Sequence, residues 1–129
     1  MRVFKNAWFE RFARKQCIPD KALLEAIERA EKGQIDADLG GGVIKQRVAR
    51  KGQGKSGGFR TIILYHAAGR AFFVYGFAKS ERDNIDDDEE AQFKKAAVHV
   101  LGLTDEQLAE LIGKNQISEV HENGEEVSE

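Results

Sequence analysis

The sequence predicts an α+β domain in which two N-terminal helices pack on a small twisted, mainly antiparallel sheet, followed by C-terminal helices. Three observations predict it. Apolar residues recur at helical spacing before residue 33 and again beyond residue 86. The centre of the chain instead alternates over Gly42–Arg50 and is rich in β-branched and aromatic residues over Phe59–His66 and Ala71–Ala78. Glycine-rich segments and chain breakers separate these runs, and 129 residues suffice for one such core. Residues 1–121 are expected to form this single domain. Residues 122–129 are expected to be an acidic, disordered tail.

Arg2–Lys5 opens the chain as a short strand. Asn6 can cap a helix with Trp8, Phe9 and Phe12 on one face and Glu10, Arg11, Arg14 and Lys15 on the other. Cys17, the single cysteine, is expected to be a small packing residue; alone it allows neither an internal disulfide nor a cysteine metal site. Pro19-Asp20 starts a second helix with Leu23, Leu24, Ile27 and Ala30 in register, which Gly33 ends. Ile35–Leu39 reads as a connector, and Gly40-Gly41-Gly42 permits positive φ ahead of the first core strand. Gly52–Gly58 reads as a mobile hairpin loop, and Gly69 marks a tight turn that pairs the second and third core strands.

The acidic block Asp86–Glu90 begins a helix whose Phe93, Ala96, Ala97, Val100 and Leu101 share a face. Asp86 with Glu89 resembles a capping box, and a cation site on these carboxylates is the alternative use. Thr104 with Gln107 resembles a second box before Leu108, Leu111 and Ile112. Ile117–Val120 can add a last short strand. No apolar run is long enough to span a bilayer, and the N-terminus does not read as a signal peptide, so the expected location is the cytoplasm.

Charge is segregated along the chain. Gly40–Lys79 holds eight basic residues and no Asp or Glu, whereas Glu81–Glu129 holds 4 basic and 15 acidic ones. A soluble face normally mixes both signs, so the central stretch points to a polyanion. A period of two puts Lys45 and Arg47 on one face of the first core strand, Arg60 in phase with Ile62 and Leu64, and Lys79 in phase with Phe73, Tyr75 and Phe77. Should these faces coincide, four cations meet above aromatic rings. That combination suits single-stranded RNA, whose phosphates need charge and whose bases need stacking partners.

Arg50, Lys51 and Lys55 are candidate backbone contacts, with Tyr75 a candidate stacking partner. Gly54-Lys55-Ser56 matches only the end of a phosphate-binding P-loop, because Ala49 stands at its first glycine and a β-branched run follows where a helix is needed. His66, His99 and His121 are scattered. Neither a metal triad nor a histidine acid–base pair is expected, and no cofactor is.

At Val43-Ile44-Lys45-Gln46-Arg47-Val48, Lys55-Ser56-Gly57-Gly58-Phe59-Arg60-Thr61-Ile62 and Phe73-Val74-Tyr75-Gly76-Phe77-Ala78-Lys79, the chain resembles the RelE/HigB family of bacterial type II toxins. The resemblance covers most of residues 1–101 in order. It implies a ribosome-dependent messenger-RNA endonuclease, neutralised by a cognate antitoxin protein. It carries Lys45 and Arg47 to the paired basic positions of the family's first core strand, Arg60 to its sheet arginine and Lys79 to the lysine closing its last strand. Where the family often has a further basic residue and then a tyrosine, this chain has Ser80 and Asn84-Ile85, so Tyr75 or Arg82 is left to substitute.

The implied chemistry is metal-free: a 2′-hydroxyl attacks the adjacent phosphorus while Arg60 holds phosphate oxygens and Lys45 and Lys79 are candidates for proton transfer. A non-catalytic nucleic-acid or protein-binding module is the alternative from the residues alone. A toxin-like inhibitor of a DNA enzyme such as gyrase is the alternative from the resemblance.

Overall fold

The structure is a computed structural model that describes residues 1–50 and 54–121, with the backbone alone over 54–56. In chain order, β1 (Arg2–Asn6) runs directly into α1 (Ala7–Lys15), followed by α2 (Asp20–Glu31). Then come β2 (Ala37–Gly40), β3 (Val43–Arg50), β4 (Gly54–His66) and β5 (Arg70–Ala78), and finally α3 (Asp87–Val100), α4 (Asp105–Gly113) and β6 (Ile117–Val120). Among the described residues the strands form one six-stranded sheet in the order β2-β3-β4-β5-β1-β6. All neighbours are antiparallel except β1 and β5. The α+β class holds, but the order of helices and sheet differs from the expected one. The helices are inserted within the sheet's sequence, because β1 precedes them along β5 and β6 returns after α4 to pair with β1.

Local chemistry accounts for most element ends. The Asn6 side chain accepts a hydrogen bond from the Phe9 amide at 2.7 Å and so fixes the start of α1. Asp86 with Glu89 and Thr104 with Gln107 form reciprocal capping boxes at the starts of α3 and α4. Gly33, at φ +83°, ends α2. Cys17 departs from expectation: it is exposed and takes φ +58° just beyond α1, where the following Ile18 amide donates to the Ala13 carbonyl. Its role is to end a helix, and Ile18 is the residue buried there.

The expected connector over 35–39 is in part a strand. Ala37 pairs with Lys45 and Asp38 with Ile44, giving β3 an edge neighbour, and three positive-φ glycines turn the chain between the two strands. A four-residue edge strand is too short to announce itself by alternation. The expected loop at 52–58 is likewise shorter than predicted, since β4 begins at Gly54. A Cβ on Gly58 would stand 2.2 Å from the Val48 carbonyl oxygen, so only glycine lets β4 run this close to β3. No helix follows Gly54-Lys55-Ser56, in keeping with the failed P-loop match. Residues 51–53, the side chains of 54–56 and the expected tail at 122–129 lie outside the described residues.

The sheet separates two cores. On one face Phe9, Leu23 and Ile27 of α1 and α2 cover Ile44, Val48, Phe59, Ile63 and Phe73. On the other, Ile85, Ala97 and Leu108 cover Val43, Ile62, Leu64, Phe72 and Phe77. Each fully buried side chain of this size stabilises the fold by about 1.5–3 kcal/mol. Both faces of the sheet are therefore clad at the β4–β5 hairpin end. At the opposite end, where β3 and β4 carry Arg47 and Arg60, the second face is only partly covered.

Candidate nucleic-acid interface

Pairing of the central strands decides which cations meet. Arg47 of β3 lies opposite Arg60 of β4, and Arg60 lies opposite Phe77 of β5, so these three share one face in a row. The adjacent row is Lys45, Ile62 and Tyr75. Three of the four predicted catalytic cations thus stand together beside two aromatic rings. Lys45 is half-buried and its Nζ donates to Asn84 Oδ1 at 3.1 Å. Arg47 is held by Asp36, which accepts its backbone amide at 2.6 Å and stands 3.7 Å from its Nε. Arg60 Nη1 is buried with no hydrogen-bond partner among the described residues.

Tyr75 and Phe77 reach this face through an irregularity. The β4–β5 register shifts between Ile62, opposite Tyr75, and Ile63, opposite Phe73, which leaves Val74 as the extra residue of a bulge. Strict alternation would place Phe73, Tyr75 and Phe77 together; the bulge instead sends Phe73 into the α1–α2 core and Phe77 into the opposite one. Asn6 Nδ2 donates to the Val74 carbonyl at 3.2 Å and so bonds to the displaced backbone.

Arg82 lies over both rings, 5.7 Å from the Tyr75 centroid and 5.8 Å from that of Phe77. It donates to the Tyr75 hydroxyl at 2.8 Å and forms a two-pronged pair with Glu89. That pair holds the Glu89 carboxyl below its ordinary range and raises the guanidinium further.

The other predicted residues lie elsewhere. Lys79 is exposed in the turn past the end of β5, outside the row. Arg50 is exposed with its guanidinium 5.3 Å from the Phe59 ring centroid. Lys51 and the Lys55 side chain are outside the described residues. Arg70, also in the basic stretch, is at the far end of the sheet and pairs with Asp105 at 2.8 Å.

Sequence reasoning assigned Arg11 and Lys15 to a solvated helix face. They line, with Trp8 and Phe12, a cleft of about 510 Å³ whose other wall is Tyr75, Gly76, Phe77 and Arg82. Their spacing, i, i+3, i+4 and i+7 from Trp8, was the available signal: one stripe in which rings and cations alternate.

A family model described as RelE toxin of the RelE/RelB toxin-antitoxin system matches residues 1–120, which takes in every element from β1 to β6. The chain belongs to the RelE toxin family. Membership bears out the RelE part of the resemblance and implies an antitoxin partner; HigB in particular is not part of the match. A search of the curated proteins finds no match to this toxin. Among the described residues, no helix of this RelE-family chain is long and apolar enough to cross a membrane.

Proposed function

We propose that this RelE-family protein cleaves messenger RNA, on the ribosome, through the Arg47–Arg60 row. The observation that carries the proposal is the opposition of two arginines on neighbouring strands, one with a buried nitrogen that has no partner among the described residues. Like charges directly opposite one another weaken a sheet, and an orphaned buried donor costs about 1–3 kcal/mol or more. A bound phosphate answers both costs. Arg60 presents a fixed fork to its oxygens, and Arg47 adds a second charge from the adjacent strand.

In the reaction, the 2′-oxygen forms a bond to phosphorus, its proton passes to a base, and the bond from phosphorus to the 5′-oxygen breaks as an acid protonates that oxygen. On this reading Lys45 and Tyr75, whose row lies beside that of Arg60, carry the proton transfers, and Lys79, beyond the strand, contacts the RNA backbone. Arg50, Lys51 and Lys55 serve as further backbone contacts. The antitoxin controls the site by covering this cationic face.

The test is expression of the parent and Arg60→Ala proteins with growth and transcript integrity followed together. Arg60→Ala should lower cleavage by about 10²–10³ with a much smaller loss of RNA affinity, and Arg60→Lys should recover only part. Circular dichroism must show both variants folded. A parent that arrests no growth and cuts no transcript, with equal affinity losses for Arg60→Ala and Lys79→Ala, identifies a passive platform instead.

A further inference from the structure

The cleft between α1 and β5 is not needed to hold the scissile phosphate, yet its composition is specific. Trp8 is 39% exposed, stacks on Phe12 with centroids 5.2 Å apart and planes at 15°, and meets Tyr75 at 4.7 Å. Gly76 forms the floor, where a Cβ would stand 2.7 Å from the Phe12 ring, so α1 and β5 approach closely enough to build this ladder of rings. Arg11 and Lys15 are exposed at the rim, and neither has a carboxylate partner among the described residues. Among the described residues, the carboxylate that lines the cleft is Glu81.

We propose that this cleft binds an unpaired RNA nucleotide next to the cleaved linkage, its base stacked on Trp8 and its phosphate held by Arg11 and Lys15. The inference rests on the RNA reading above and extends it to a second subsite. Three features favour a nucleotide over a peptide. Among the described residues no aliphatic side chain lines the cleft, whereas a groove for an amphipathic helix is hydrophobic along its length. Rings and cations are interleaved, the combination single strands require. The charges also set a direction, since Glu81 repels phosphate and, among the described residues lining the cleft, leaves Arg11 and Lys15 of α1 as its cationic seat beside Arg82, which Glu89 already holds. The cleft is continuous with the cleavage row through Phe77, which lines it and lies opposite Arg60.

Trp8 is the only tryptophan, so its fluorescence reports the subsite without interference. The full-length protein is titrated with a short 2′-O-methyl oligoadenylate, which cannot be cut because the attacking hydroxyl is blocked. Stacking should quench Trp8, and the combined Arg11→Ala and Lys15→Ala variant should flatten the slope of log affinity against log salt by about 1.4, at about 0.7 for each lost charge. Both residues are exposed, so the fold should persist. Arg60→Ala should retain the quenching.

Absence of quenching in a parent that cuts transcripts overturns the subsite and leaves the cleavage proposal standing. Quenching by a parent that cuts nothing keeps the subsite and overturns cleavage. Equal quenching by polyglutamate, or by inorganic polyphosphate, removes the nucleotide assignment in favour of a peptide groove or a nonspecific charge effect.

Discussion

Gln46 is fully buried between α2 and the sheet, and replacing it with methionine tests how the strand that carries Lys45 and Arg47 is held in place. Its Oε1 accepts the Asp36 amide at 2.9 Å, and its Nε2 donates to the carbonyls of Ala26 and Gln34, both at 3.0 Å. Methionine keeps the length and nearly the volume, so the change removes hydrogen bonds without opening a cavity. Three bonds at about 1 kcal/mol each, one buried and two part-buried, give an expected loss of about 2–4 kcal/mol. For a domain of this size that corresponds to a fall in Tm of about 8–16 °C. The assay is urea unfolding beside a thermal melt, with an unchanged m-value as the sign that the native and unfolded states are otherwise alike. The 34–36 segment should loosen first, so hydrogen exchange at Asp36 and at Arg47, whose amide Asp36 accepts, should accelerate more than exchange in β5. A Gln46→Met protein as stable as the parent would refute the view that this buried amide ties the connector to β3.

Two further outcomes follow from local geometry. Gly76→Ala should destabilise the protein by about 1–3 kcal/mol, because its Cβ meets Phe12 at 2.7 Å and Phe9 at 3.1 Å and α1 must move outward; a thermal melt matching that of the parent would show that the α1 rings give way freely. The Glu89 carboxyl is held low by Arg82, so the protein is stabilised by this pair above the ordinary carboxyl value of 4.5 and loses that contribution as pH falls through the lower folded value. Glu89→Gln should remove that part of the acid dependence of Tm, and an identical Tm–pH curve would show that the Arg82 pair does not anchor α3.

Much of the fold was legible because its signals are local. Capping pairs three residues apart, helical spacing around Phe9 and Leu23, and the β-branched run over 59–66 each act within one element, and the structure contains those elements. The failures are of another kind. Phe72-Phe73-Val74-Tyr75 is apolar throughout, so no polar residue marks the phase and the bulge at Val74 leaves no trace in the sequence; one extra residue then moves Tyr75 and Phe77 to the opposite face from Phe73. Cys17 looked like a packing residue because its type is usually buried, whereas the turn after α1 needed a positive φ at that place.

The site was legible to the extent that charge along the chain survives folding, and the carboxylates determine how far that is. Eight cations in a stretch without anions look equivalent in sequence. In space, Arg70 receives Asp105 and becomes a tie between the β4–β5 hairpin and the start of α4, while Arg47 shares Asp36 from the connector. Arg82, outside the stretch, is drawn onto the same face and paired with Glu89. Arg60 has no carboxylate among the described residues, although it sits opposite another arginine on a neighbouring strand, where pairing would stabilise it most. On the function proposed above, a cation left without a carboxylate among the described residues, in the most crowded position, takes a phosphate diester as its partner, the anion that its fork and its neighbours Lys45, Arg47 and Tyr75 would fit.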